Sequence, residues 1–278
     1  MDKKTKQILF GKFSYKRLIR STLLILILSY TGLIILGYFR SDSIIFPIPQ
    51  ASYRDNNRIY KITLPDQTRI SATEYSVKKP DFHIIYNHGN GVDLGVLENH
   101  LKTASERLNC SITAYDYPGY GTSQGKPTES SVFATADAVY TNLKSKGVKN
   151  SKIIIWGRSV GSGPAAYLAQ KYPAAGLILE SPFKSAFTVL TRIPIVPFDK
   201  FDNISRIDKI DSPFLIIHGT NDQIIPFSHS KELYKAAEEP KSKLWIKNAG
   251  HNNLAEIGGN TYWNTIRQWI LHIKETKK

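Results

Sequence analysis

Short apolar runs alternate with helix-like stretches along most of this chain, and that alternation limits its folds more than any other feature. The runs cover residues 82–86, 111–115, 152–156, 176–179, 213–217 and 243–246. Helical periodicity covers 94–108, 130–146, 160–171, 228–238 and 262–273. A strand that is apolar on both faces must be covered on both faces. Strand–helix alternation therefore predicts an α/β architecture, a mostly parallel central sheet flanked by helices. Two further strand-like runs, 58–64 and 70–77, precede this series and are separated by a turn beginning Pro65-Asp66-Gln67. In such sheets the chemistry collects at the carboxyl ends of the strands, so the residues just after each run are the ones to inspect.

After 152–156 comes Gly157-Arg158-Ser159-Val160-Gly161, followed at once by a helical pattern. A serine between flanking glycines, on a turn from strand to helix, has its hydroxyl aimed out of the sheet. The glycines are needed because a Cβ would meet the neighbouring strand and helix. A serine hydroxyl needs a base, and the base needs an orienting carboxylate. Asp222 follows the run 213–217 and His251 follows 243–246, in the order Ser, Asp, His that this arrangement uses. Taken alone, Asp222 could be a turn or cap residue and His251 a surface histidine; order and strand-end position together favour Ser159, Asp222 and His251 as the catalytic residues. An oxyanion hole is also required. Val160, at the start of its helix, offers one N–H. The loop Asn87-His88-Gly89-Asn90-Gly91 offers the other, assigned to Asn90, with Gly91 as the alternative. His88 in that loop is read as structural, and so are Asp116 and the turn at 118–121.

Residues 21–39 carry no charge and lie between Arg20 and Arg40. As a helix, these 19 residues span about 28 Å, close to the hydrocarbon thickness of a bilayer. A buried core helix and a cleavable signal peptide pass the same test. Few core helices are apolar all round, however, and no small-x-small site follows. The segment is read as an uncleaved transmembrane signal-anchor. Before it stand Lys3, Lys4, Lys6, Lys12, Lys16, Arg17 and Arg20 against Asp2, which predicts a cytoplasmic N-terminus and a catalytic domain on the other side. The expected organisation is a basic segment 1–20, an anchor 21–39 and a catalytic domain 40–278, joined through a proline-punctuated apolar linker at 43–49. Of the formal charge of +14, +6 falls in residues 1–20, and a short Lys-rich tail runs from Lys274 onward. Neither a helix–turn–helix pattern nor an aromatic-interleaved basic stripe is present, so the bilayer, not nucleic acid, is the expected partner. The single cysteine, Cys110, excludes an intramolecular disulfide and a multi-cysteine metal site, and reads as a buried thiol.

The motifs His88-Gly89-Asn90, the run from Tyr115 to Ser123, Gly157-Arg158-Ser159-Val160-Gly161 and His218-Gly219-Thr220-Asn221-Asp222 resemble those of the α/β-hydrolase superfamily. More narrowly they are similar to its membrane-anchored hydrolase-domain branch, which includes protein depalmitoylases and lysophospholipid lipases. The resemblance covers residues 40–275 and departs at Gly91-Val92-Asp93, where the family pattern has a small residue and Gly-Asn. It implies the α/β-hydrolase fold and a serine hydrolase that cleaves esters or thioesters of small-molecule or lipidated acyl substrates, with no metal or organic cofactor. A peptidase of the same fold and a catalytically silent membrane-tethered binding module are the alternatives. The apolar stretch 193–198 lies where this fold inserts a lid, as an acyl-chain contact or as plain packing. Asn203-Ile204-Ser205 matches a glycosylation acceptor.

Overall fold

A computed structural model describes residues 14–276; Lys3, Lys4, Lys6 and Lys12 of the basic segment and Lys277 and Lys278 of the tail lie outside the described residues. The chain forms two compact units that divide between Ile44 and Ile45. The first contains helix α1, Tyr15–Ile45, 31 residues long and apolar enough to cross a membrane. It extends beyond the uncharged 21–39 at both ends and stops just before Pro47, whose ring disfavours helical backbone at the residue preceding it. Leu23 through Leu28 are each more than half exposed.

The second unit is built on an eight-stranded sheet in the order β1-β2-β4-β3-β5-β6-β7-β8. The strands are β1 (Ile59–Thr63), β2 (Arg69–Tyr75), β3 (His83–Asn87), β4 (Ser111–Tyr115), β5 (Ile153–Arg158), β6 (Gly176–Glu180), β7 (Phe214–Gly219) and β8 (Lys241–Ile246). β1 and β2 form an antiparallel hairpin, β2 pairs antiparallel with β4, and every other pairing is parallel. The hairpin closes through Leu64 and Thr68, with Gln67 at φ 67° and the Asp66 carboxylate accepting from the Thr68 N–H. This is the fold expected from the run of alternating elements.

Helices α2 (Leu94–Leu108), α3 (Glu129–Ser145), α4 (Ser162–Lys171), α5 (Ala186–Thr191), α6 (Ile204–Ile207), α7 (Phe227–Ala236) and α8 (Leu254–Thr276) connect the strands. Alternate strand residues face opposite ways, so the sheet feeds two cores. Ile85, Ile155, Leu177 and Ile216 pack with α3, α4 and α7 on one side. Ile84, Trp156, Ile178 and Leu215 pack with α2 and α8 on the other. Fully burying each such side chain contributes roughly 1.5–3 kcal/mol. Two caps are built from residues the periodicity alone leaves unassigned. Asp93 accepts from the Val96 N–H at the start of α2, and Thr128 forms a reciprocal capping box with Ser131 at the start of α3.

Several expectations change. The helical pattern at 160–171 opens as a tight turn, Ser159–Gly161, before α4 begins. The pattern at 262–273 belongs to a longer helix, α8, kinked at Gly259. The linker at 43–49 is not free: Phe46 is buried in the core beside Tyr117, Tyr120 and Phe201. Asn203 is fully buried and its amide donates to Ser162 Oγ (3.0 Å) and the Phe183 carbonyl (2.9 Å), so it is no glycosylation acceptor in the folded protein. Residues 193–198 have no helix or strand, and Ile193 and Ile195 remain exposed. Cys110 is buried, as expected.

Candidate active site

Ser159 sits at the carboxyl end of β5 with φ 53°, a left-handed conformation that is costly for a residue with a Cβ. The turn is possible only because its flanks are glycine. A Cβ on Gly157 would lie 2.3 Å from the Gly161 carbonyl oxygen, and one on Gly161 would lie 2.1 Å from that of Asn87. β3 and the turn after β5 are thus in backbone contact, and a Cβ on Gly89 would stand 3.5 Å from the Ser159 Cβ. Strand pairing thereby brings the loop after β3 against the serine.

Asp222 and His251 arrive from the loops after β7 and β8. His251 Nε2 is 2.9 Å from Ser159 Oγ, and His251 Nδ1 is 2.7 Å from Asp222 Oδ2. With Nδ1–H donating to the carboxylate, Nε2 is left as the acceptor for the serine O–H. This chain can take a proton from Oγ and hold the resulting imidazolium beside a carboxylate. Asp222 is buried, and its Oδ1 accepts from the N–H groups of Ile224 (2.9 Å) and Ile225 (2.8 Å). Burial alone would raise its pKa, but hydrogen bonds from His218 and His251 outweigh that and hold it far below the usual carboxylate range. The acid therefore stays ionised.

His218 was not expected at the site. It is the penultimate residue of β7, is fully buried, and places Nε2 3.1 Å from Asp222 Oδ2, while Nδ1 lies 2.6 Å from Ser230 Oγ. The carboxylate and the Ile225 carbonyl, also 3.1 Å from Nε2, are both acceptors, so Nε2 carries a proton. The signal was present as a histidine four residues before the aspartate, at a strand end. A second cross-link comes from Arg158. Its guanidinium reaches the His251 carbonyl (3.4 Å), Asn252 Oδ1 (3.3 Å) and Glu180 Oε1 (3.4 Å), tying the histidine loop to β5 and β6.

Val160 is nearly buried in the turn after Ser159, and Asn90 lines the same cavity as Ser159. The Gly91 N–H is taken up by Asn90 Oδ1 at 2.9 Å. The cavity encloses about 300 Å³ and is bordered by Pro47, Asn90, Arg158, Ser159, Ile224 and His251 among others. Behind the loop, His88 is fully buried and stacked on Tyr117. Burial pushes its pKa down to about 4, and burial pushes neighbouring Asp116 up to about 7 despite its hydrogen bond from Tyr53. His88 is thereby kept neutral, Asp116 is held near half-protonation at neutral pH, and both lie inside, which agrees with structural roles. Among the described residues no group of three or more His, Cys, Asp or Glu is placed to hold a metal ion.

Known proteins resemble this chain in sequence and in fold. The model of the alpha/beta hydrolase fold family matches residues 83–197. Human alpha/beta hydrolase domain-containing protein 17B is 39% identical over 192 residues, covering 68% of this chain and 66% of that protein. Mouse alpha/beta hydrolase domain-containing protein 17C is 38% identical over 195 residues, covering 69% of this chain and 60% of its own length. The match thus spans about two thirds or less of these relatives. Among solved structures, an esterase of Pyrococcus furiosus superposes with a TM-score of 0.66 at 17% identity, over 81% of this chain and 98% of the esterase. A ferulic-acid-bound esterase of Butyrivibrio proteoclasticus superposes with a TM-score of 0.63 at 19% identity, over 77% and 98%. At such identities the likeness concerns the fold.

Proposed function

The chain belongs to the α/β-hydrolase fold family, and from that premise we propose that this hydrolase is a membrane-anchored serine enzyme cleaving ester or thioester bonds of acyl substrates. The observation that carries the reading is the hydrogen-bonded chain from Ser159 through His251 to Asp222 at the ends of three parallel strands. His251 Nε2 accepts the Ser159 proton as Oγ attacks the acyl carbonyl. The N–H groups of Asn90 and Val160 receive the charge that develops on the carbonyl oxygen. His251 then returns the proton to the leaving alcohol or thiol, and the acyl group stays on Oγ. Water gives its proton to His251, attacks the acyl-enzyme, and Oγ recovers its proton from the imidazolium as the acid departs.

A silent binding module has no use for a serine held at φ 53° against a histidine paired with a buried aspartate, so catalysis is the better account. Helix α1 supports anchoring by its length and composition. Lys16, Arg17 and Arg20 before its apolar stretch support an N-terminus in the cytoplasm and the hydrolase unit on the other side. A tether of this kind raises the local concentration of amphiphilic substrates. The apolar side chains of Val92, Ile224 and Pro47 at the cavity suit an acyl group.

The test is turnover of acyl esters and acyl thioesters of increasing chain length by the full chain in detergent, with intact-mass detection of the acyl adduct. The reading predicts an initial burst and an adduct on wild type that is missing from Ser159→Ala. Hydrolysis that survives unchanged in Ser159→Ala would overturn it.

A further inference from the structure

Asn90 is held from outside its own loop. Its Nδ2 donates to the Ile45 carbonyl at 2.5 Å, while its Oδ1 accepts from the Tyr120 hydroxyl (2.6 Å) and the Gly91 N–H (2.9 Å). Ile45 ends α1 and begins the hydrolase unit, and a carbonyl at a helix end has no partner within the helix. The next residue, Phe46, is 3% exposed and lies edge-on to Phe201 (5.8 Å between ring centroids), Tyr117 (6.1 Å) and Tyr120 (6.5 Å). Pro47 then borders the cavity that contains Ser159. Phe46 acts as a plug that fixes the Ile45 carbonyl on one side and the Pro47 ring on the other.

We propose that the strap Ile45–Phe46–Pro47, directly after the apolar helix, positions the oxyanion donor: it fixes the Asn90 side chain, and through it the Asn90 N–H. The inference rests on the oxyanion role given to Asn90 above. Position 90 needs a side chain that donates and accepts at once, because one neighbour is a carbonyl and another an N–H; asparagine meets both demands. With Oδ1 taken by Gly91 and Tyr120, and Nδ2 by Ile45, the side chain is fixed at both ends. The peptide N–H of the same residue then has little freedom to turn away from Ser159. A donor placed before reaction costs no reorganisation in the transition state, which is where oxyanion stabilisation gains its size. Phe46 and Asn90 are thus positioning residues as side chains, and only the Asn90 backbone meets the substrate.

The experiment is a double-mutant cycle on the full chain in detergent, with a short-chain acyl ester, at a temperature where circular dichroism shows every variant folded. Asn90→Ala keeps the backbone N–H but lets it move, so kcat falls about 10-fold or more while KM stays within about twofold. Phe46→Ala does the same, and Phe46→Leu, which still fills the plug site in part, recovers most of the loss. Because the strap acts through Asn90, the double variant is no slower than Asn90→Ala by more than about twofold. Multiplying losses in the double variant, or unchanged kcat in either single one, would overturn the proposal. Where Phe46→Ala does not fold, Phe46→Leu takes its place in the cycle with a smaller expected loss. If instead wild type is no faster than Ser159→Ala, it is the hydrolase mechanism that fails, and the strap falls with it.

Discussion

Each side chain of the site has one feature that fits its task, and those features yield separate expectations. Asp222 receives four donors, from His251, His218, Ile224 and Ile225. Removing His218 leaves a buried carboxylate short of one partner and strands Ser230 and the Ile225 carbonyl as well. His218→Leu is expected to lower kcat/KM about 10-fold and to destabilise the fold by about 1–3 kcal/mol, read from initial rates and urea unfolding. That Ser159, His251 and Asp222 come together was legible in the sequence because each stands just after a strand. His218 was not, since a histidine at the end of an apolar run also fits plain core packing. That the Gly91 N–H is engaged by Asn90 Oδ1 was not legible either, because only the folded loop brings them together.

Among the elements, the connection from β5 to α4 is the least tolerant of change. Gly161→Ala would set a Cβ against the Asn87 carbonyl, where backbone and not a flexible side chain is the obstacle. The variant is expected to lose several kcal/mol, as overpacking against backbone costs about 1–3 kcal/mol or more, and to show a lower urea midpoint. Thr128→Ala removes the cap of α3 far from the site; it should cost about 1 kcal/mol and leave kcat unchanged. The strands and most helices could be read from periodicity, but their edges could not. β8 begins two residues before its apolar run, at Lys241, because an edge strand tolerates charge on its open side. The linker at 43–49 reads as a loop from its prolines, and nothing local tells that Phe46 has a pocket of aromatic rings to fill.

Across the whole molecule, pH acts through buried imidazoles. Burial pushes His229 down to about 4, and its Nδ1 accepts from the Lys184 N–H, so protonation must break a hydrogen bond. A folded-state pKa below the unfolded value of 6.5 means that the unfolded chain binds more protons between 6.5 and about 4. Stability therefore falls as pH drops through that window. His88 behaves alike, but Asp116, raised to about 7, works in the opposite sense by staying protonated where the unfolded chain would not. The two largely cancel, whereas His83 and His100, also lowered by burial, act in the same sense as His229; of these, His229 has the hydrogen bond that protonation breaks. His229→Asn keeps an acceptor near Nδ1 and cannot titrate, so its Tm should fall less than that of wild type between pH 6.5 and 4.5. At the other end of the molecule, α1 predicts that the full chain stays with membranes through alkaline carbonate washing. Ile27→Arg, in mid-helix, costs about 2.5–3.5 kcal/mol of insertion and should shift a measurable fraction to the supernatant. The long apolar helix and the hydrolase fold were both legible in the sequence, since each depends on an extended pattern; the burial of Phe46 was not, since it depends on a pocket of aromatic rings that no local pattern reveals.

The central claim is that Ser159 is a nucleophile activated by His251. Labelling of the purified full chain with a fluorophosphonate tests this directly, because the probe bonds to an activated serine Oγ and needs no knowledge of the substrate. The account predicts rapid labelling of wild type, none of Ser159→Ala, and labelling of His251→Ala slowed by at least about a thousandfold. A folded wild type that stays unlabelled, or a Ser159→Ala that still labels, would contradict it.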